Sequence, residues 1–497
     1  MTQFRAFGTF SANDPLSALG IDARHVLVDG RWRPSEGGGT LALVDPSDGS
    51  ALGDIARGTA DDVDAAVRAA RSALAGDWGR MTATDRGRLL ARLGVLVGEH
   101  VELLAELEAR DVGKPLGQAR RDALALARYC EYYAGAADKF HGETLPYLDG
   151  YTVMTLREPH GVTGHIVPWN YPMQIIGRSV GAALCMGNAT VLKPAEEACL
   201  TALAFGELAR RAGFPNGAVN IVPGLGAEAG AALATHPGVA HVSFTGSVDT
   251  GRRVQRGAAD NVVPVTLELG GKSAQLVFDD ADIDAALPLL VGAGIQNAGQ
   301  TCSAASRLLV QRGVLDEVTA RVAERYTALR VGPAMRDHEL GPLISSRQRD
   351  IVDGYIAEGA DLETVATGRL ESDAPAGGCY VLPTLFGDVP PDHVLAQEEV
   401  FGPVQVLVPF DTEEEGLAIA NGTAYGLVAA VWTRDGARQL RLARALEAGQ
   451  VFVNDYGAGG GVELPFGGMG KSGHGREKGF EALYGFSRLK TVAIRHG

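Results

Sequence analysis

The chain has 497 residues, 46% of them hydrophobic and 21% charged, ordinary values for a soluble globular protein and enough chain to bury large cores without staples. Its formal net charge is −15, from 45 basic and 60 acidic residues, which excludes non-specific binding to nucleic acid or to an anionic membrane. No apolar run approaches the ~18 residues of a membrane span, and the first fifteen residues carry no apolar core of signal-peptide length.

Residues 1–60 read as a loose lead-in with short strands such as 41–44. Helical periodicity begins at Asp61, with Val63, Ala66, Val67, Ala70 and Leu74 on one face. A second helix is expected over 84–110 and a third over 118–139. The stretch GETLPYLDGYTVMTLREPHG follows, and its Pro and Gly punctuation around an alternating segment at 151–157 reads as an extended β arm. From 162, short apolar strands alternate with helices: VTGHIV, ATVLK, AVNIV, HVSFTG and VPVTLEL. That alternation implies a parallel sheet covered on both faces, with ligands at the carboxyl ends of the strands. Those ends read PWN, KPAE, FTGS and LELGGK. A second βα series starts at AQLVF and runs through RLLVQ, PVQVLVPF, LVAAVWT and QVFVN, the pattern of a second α/β domain. A Gly-rich segment at 457–477 then leads to a short tail.

The five cysteines, Cys130, Cys185, Cys199, Cys302 and Cys379, are odd in number and form no CxxC pair. A disulfide framework and a metal site are therefore not expected, and a reducing, cytoplasmic setting is. Cys302 lies among small polar residues in QNAGQTCSAASRL (296–308). A thiol there can be approached by a substrate, and a thiolate attacks carbonyls well. Taken alone, Cys302 would read as a small core residue; PWNYP (168–172) and LELGGKS (267–273) change that reading, because they add an oxyanion donor and a base.

Seven stretches in order, PWNYP, LKPAE (192–196), FTGS (244–247), LELGGK, GQTCSAASR (299–307), EEVFGP (398–403) and PFGGMGKSGHGRE (465–477), closely resemble the aldehyde dehydrogenase superfamily. The resemblance covers nearly the whole chain from about residue 25. It implies an α/β fold with a Rossmann-type NAD-binding domain (1–140 and 160–269), a catalytic domain (270–477), and an oligomerisation arm and tail (141–159 and 478–497). It implies NAD-dependent oxidation of a small-molecule aldehyde to an acid, in a homo-oligomer that is a dimer or a dimer of dimers.

By that resemblance Cys302 is the nucleophile, Asn170 the oxyanion donor and Glu268 the base that activates water. Lys193 and Glu196 would take the adenosine ribose, and Gly246 and Ser247, at a helix start, the pyrophosphate. Glu399 would take the nicotinamide ribose, with Phe401 and Trp169 beside the ring. The segment GLGAEAG (224–230) has the wrong spacing for a standard dinucleotide fingerprint. Glu196 favours NAD over NADP, since a 2′-phosphate would meet a carboxylate.

Broad-specificity members have aromatic residues where this chain has Gln296 and Gly459, and tryptophan where it has Arg178; Arg488 stands where many carry glutamate. The pocket should therefore be wide and polar. Arg178, Tyr171, Gln174, Gln296 and Phe466 are the substrate candidates, pointing to short or medium aldehydes with a polar far end. Arg178 either meets such an end or pairs with a protein carboxylate such as Glu463. CoA-acylating oxidation is disfavoured by the presence of Glu268. Intact Cys302, Glu268 and Asn170 count against a silent structural protein on the same fold. An unrelated cysteine hydrolase would need a histidine partner.

Overall fold

The computed structural model describes residues 16–457 and 460–497; the start of the lead-in and Gly459 lie outside the described residues. Two large sheets dominate. The first has five parallel strands at its centre, ordered Val219–Ile221, Ala189–Lys193, Val162–Ile166, His241–Thr245, Val265–Glu268. These strands are almost wholly buried, as a parallel sheet packed on both faces requires. The lead-in is more ordered than expected. His25–Val28 and Arg31–Pro34 extend the sheet antiparallel at one edge, and Thr40–Val44 pairs with Ala51–Ala56 in a hairpin. At the other edge Gly473–His474, from far down the chain, pairs antiparallel with Val265–Glu268.

The helix expected over 84–110 is two helices, Ala83–Glu99 and Val101–Val112. The break is at His100, whose φ of −112° and ψ of 18° leave the helical region while its Nδ1 contacts the Leu96 carbonyl at 2.7 Å. The helix expected to follow is Leu116–Ala136. Ala60–Ala75 begins in a reciprocal cap, Thr59 with Asp62. GLGAEAG forms a wide helical turn, Gly226–Gly230, ahead of the short helix Ala231–Thr235.

The second sheet is ordered Glu363–Thr367, Thr384–Gly387, Val404–Phe410, Arg307–Gln311, Ala274–Val277, Val428–Trp432, Gln450–Val453. All its pairings are parallel except that of the edge strand Glu363–Thr367. Each large sheet has its own apolar core. A third sheet stands apart: the arm strand Tyr151–Pro159 lies between Thr144–Leu145 and the tail strand Ser487–Arg495. Among the described residues no helix is long and apolar enough to cross a membrane.

Candidate active site

In the first sheet Val162–Ile166 and His241–Thr245 are neighbours, and the chain leaves them toward opposite edges. A crevice opens at such a switch point, beyond the carboxyl ends of the strands. PWNYP follows the first strand and Gly246-Ser247 the second, while Glu268 ends the next strand over. These residues and Cys302 line one cavity of about 400 Å³. Asn170, Glu268, Trp169, Gly246, Ser247, Glu399 and Phe401 all border it. No histidine lines it among the described residues, which leaves a cysteine hydrolase without its partner.

The loop bearing Cys302 is held by unusual backbone. After the helix Ile283–Ile295, Asn297 (φ 50°), Ala298 (φ 53°) and Gly299 (φ 73°) are all left-handed, a costly state for the two residues that carry a Cβ. Hydrogen bonds hold it in place. The Asn297 amide donates to the Asn170 carbonyl at 3.2 Å and to that of Gln300 at 3.3 Å. The Gln300 amide donates to the Asn297 carbonyl at 3.1 Å, and its own oxygen accepts from the Ile344 N–H at 2.9 Å.

The glycines of LELGGK make room for close approaches. A Cβ on Gly271 would sit 2.3 Å from the Cys302 carbonyl, and one on Gly270 would sit 2.1 Å from a Glu399 carboxylate oxygen. The Gly271 N–H in turn donates to Glu399 at 3.0 Å. Gly467 performs the same service for Glu268, whose Oε1 lies 2.7 Å from the Cβ position.

Burial pushes the Cys302 thiol up to about 12, with Glu399 and Glu268 adding to burial and Arg178 opposing it. The resting sulfur is therefore a thiol and needs a base to attack. Glu268 is 1% exposed, and neither of its oxygens has a hydrogen-bond partner. Burial first, then Glu477, holds its carboxyl well above the usual range, against Arg178 and Arg476. Such a carboxylate is a strong base. The Asn170 amide donates to the Gln300 carbonyl at 3.1 Å. An amide nitrogen carries two hydrogens, so one remains to donate. Burial likewise raises Glu399 to about 7, against its bond to the Gly271 N–H.

Of the nucleotide-side candidates, Trp169, Gly246, Ser247, Glu399 and Phe401 border the same crevice. Ser247 caps the helix Val248–Ala259, its hydroxyl accepting the Thr250 N–H at 3.4 Å. Trp169 and Phe401 meet edge to face at 5.4 Å. Lys193 and Glu196 do not line the cavity; they pair with each other at 2.8 Å, and Glu196 also accepts the Gly226 N–H at 3.3 Å. Burial opposes the charge of Glu196, but Lys193 and backbone N–H donors together hold it below the usual carboxylate range, so it is ionised at neutral pH.

None of the five substrate candidates lines the cavity. Tyr171 lies under the Lys114 ammonium, 3.7 Å from ring centroid to Nζ, and Gln174 donates to Asp122 at 2.6 Å. Gln296 is half-buried at the end of Ile283–Ile295. Arg178 is 8% exposed and forms a buried ion pair, not with Glu463 but with Glu477; Glu463 is taken by Arg128 at 2.6 Å. Phe466 lies beneath the Arg178 guanidinium at 4.8 Å. Glu477 was missed from sequence, although it closes the last of the seven stretches.

Comparison with known proteins agrees with this geometry. The model of the aldehyde dehydrogenase family matches residues 32–492. The chain is 42% identical to hydroxyisobutyraldehyde dehydrogenase of Mycolicibacterium austroafricanum over 471 residues, covering 94% of this chain and 93% of that one. It is 40% identical to human retinal dehydrogenase 2, over 97% of this chain and 93% of that one. A Burkholderia cenocepacia protein described as an aldehyde dehydrogenase superposes with a TM-score of 0.95 at 62% identity, over 95% of this chain and all of that one. The NAD+ complex of a Bacillus cereus aldehyde dehydrogenase superposes with a TM-score of 0.94 at 39% identity, over 97% and 98% of the two chains. With a family match across nearly its whole length, and with Cys302, Glu268 and Asn170 bordering one crevice, the chain belongs to the aldehyde dehydrogenase family.

Proposed function

We propose that the protein is an NAD-dependent, hydrolytic aldehyde dehydrogenase in which Cys302, Glu268 and Asn170 do the chemistry. The observation that carries the reading is the single cavity bordered by all three. Glu268, a buried carboxylate with no hydrogen-bond partner, takes the Cys302 proton as sulfur adds to the aldehyde carbon. The free N–H of Asn170 and the Cys302 backbone N–H stabilise the developing alkoxide. When bound, NAD supplies the hydride acceptor. Glu268 gives up that proton to solvent and then takes one from the water that attacks the Cys302 thioester, the acid leaving as the Cys302 thiolate is expelled.

The helix start at Ser247, Glu399 fixed by Gly271, and the Trp169–Phe401 pair suit a dinucleotide, with Lys193 and Glu196 for its adenosine ribose. An ionised Glu196 favours a free ribose hydroxyl over a 2′-phosphate, hence NAD over NADP. Water as the acyl acceptor, rather than CoA, rests on Glu268. We assign 1–140 and 160–269 to the NAD-binding domain, 270–477 to the catalytic domain, and 141–159 with 478–497 to an oligomerisation arm and tail. The substrate is a short or medium aldehyde with a polar far end, supported by the relative named for hydroxyisobutyraldehyde. Arg178 is not its ligand, being held by Glu477.

The deciding experiment measures NADH and NADPH formation from a panel of aldehydes, with and without CoA. Wild type should favour NAD in kcat/KM and need no CoA. Cys302→Ala should abolish turnover while NAD still binds, and Glu268→Gln should slow it by about 10²–10⁴. Steady turnover by folded Cys302→Ala protein overturns the mechanism.

Leu145, Tyr147, Leu148, Leu156, Leu489 and Ile494 are exposed on the arm and tail, an apolar surface suited to a second copy. A homodimer or dimer of dimers in the cytoplasm is the assembly we infer. Light scattering that showed only monomer at micromolar concentration would refute it.

A further inference from the structure

Arg178 and Glu477 sit one residue away from the wall of the catalytic base. Phe466 and Glu477 form an antiparallel bridge, each donating its N–H to the other's carbonyl at 2.7 and 2.8 Å. The bridge carries two contacts to Arg178: the Glu477 carboxylate in the ion pair and the Phe466 ring beneath the guanidinium. The neighbouring residues on the same bridge face Glu268. A Cβ on Gly467 would stand 2.7 Å from Glu268 Oε1 and 2.9 Å from Arg476 Cδ. Glu477 is fully buried and is fixed on its other oxygen by Ser243 Oγ, which donates at 2.9 Å. Arg178 comes from the helix Pro172–Cys185, which PWNYP opens. Its Nη2 is buried and lacks a hydrogen-bond partner.

Resting on the reading of Glu268 as the base, we propose that Arg178 is a positioning residue that acts through Glu268, and that Arg178 and Glu477 together set the pH at which this base works. A guanidinium over one bridge residue and a carboxylate from the other form a fixed dipole beside a carboxylate shielded from water, where charges act strongly. The charged groups facing Glu268 are Glu477, Arg178 and Arg476, with Cys302 across the cavity. Those facing Arg178 besides the pair are Tyr129 and Lys478. Glu477 disfavours the ionised base and Arg178 favours it. Burial works against the charge of Arg178 itself, but Glu477, Glu268 and Cys302 outweigh burial and keep it protonated at every working pH.

The two partners therefore have opposite signs, and the test uses that. The pH dependence of kcat is measured with saturating NAD for wild type, Arg178→Met, Arg178→Lys, Glu477→Gln and the Arg178→Met/Glu477→Gln double variant. Each is run with succinic semialdehyde and with uncharged butanal. Arg178→Met should move the acidic limb of kcat up by about one pH unit or more, roughly a tenfold loss below the limb. Arg178→Lys should restore most of it. Glu477→Gln should move the limb down, and the double variant should return toward wild type.

The KM values of the two aldehydes should change by the same factor. An unmoved limb, or limbs that move the same way in Arg178→Met and Glu477→Gln, overturns the proposal. So does a rise in KM confined to the anionic aldehyde, since that makes Arg178 a substrate ligand. If Arg178→Met does not fold, Glu477→Gln and Arg178→Lys still decide. Loss of the reading of Glu268 itself would show separately, as near-normal turnover in Glu268→Gln.

Discussion

Gly271 shows how little freedom Cys302 has. Its missing Cβ is the space the Cys302 carbonyl occupies, 2.3 Å from where a methyl would stand. Backbone cannot yield as the end of a side chain can, so Gly271→Ala must displace Cys302. A shift of about 1 Å at a reacting atom costs on the order of 10² in rate. Gly271→Ala should therefore lose at least that factor in kcat/KM, with a near-normal circular dichroism spectrum; a variant within threefold of wild type would show that the carbonyl moves freely. Gly270 differs, because its Cβ would meet the Glu399 carboxylate, the far end of a side chain, which can swing aside.

Beneath PWNYP, three elements meet at a buried ammonium. Lys114, fully buried, follows the helix Val101–Val112 and pairs with Glu108 of that helix and Asp122 of Leu116–Ala136. Its Nζ also supports the Tyr171 ring. Burial works against its charge, but the two carboxylates outweigh burial and raise it. Removing one member of such a group strands the others. Lys114→Met should destabilise by about 3–5 kcal/mol in chemical denaturation, and a loss below 1 kcal/mol would mean that Glu108 and Asp122 are held by something else.

None of this was legible beforehand, because Glu108, Lys114 and Asp122 look like ordinary surface charges in a helical pattern. The strand–helix alternation from residue 162, by contrast, was readable, since buried parallel strands are continuous apolar runs. Asn170 and Glu268 could be singled out because they stand at strand ends, and Cys302 because it lies among small polar residues ahead of Arg307–Gln311. The lead-in strands were underestimated, because His25–Val28 and Arg31–Pro34 are short edge strands whose partner is remote in sequence. Arg178 could not be placed from sequence, since its partner Glu477 lies about three hundred positions downstream.

Across the whole molecule, a cluster of three imidazoles makes acid the weak direction. His160 stacks on His241, and Phe486 of the tail joins the group, stacked on His165 and edge-on to His241. Burial lowers His165 to about 3 and holds His160 and His241 below the usual imidazole range as well. An unfolded imidazole takes its proton near pH 6.5, so between there and pH 3 the unfolded chain binds more protons. Stability from His165 is full above pH 6.5 and falls as pH drops toward 3, by about 1.4 kcal/mol per unit at most. The urea midpoint should fall between pH 7.5 and 5.5, and less steeply in His165→Phe; equal slopes in the two proteins would discount the cluster.

The chain's last stretch also closes what its first half began. Tyr151–Pro159 finds its nine-residue partner only in Ser487–Arg495, and the sheet edge at Val265–Glu268 only in Gly473–His474. On a ribosome, domains fold as they emerge, N-terminal parts first. Here Glu268 and Cys302 are translated long before Glu477 and the strand that covers the arm. A nascent chain at that stage therefore carries both side chains without the later segments that pack around them.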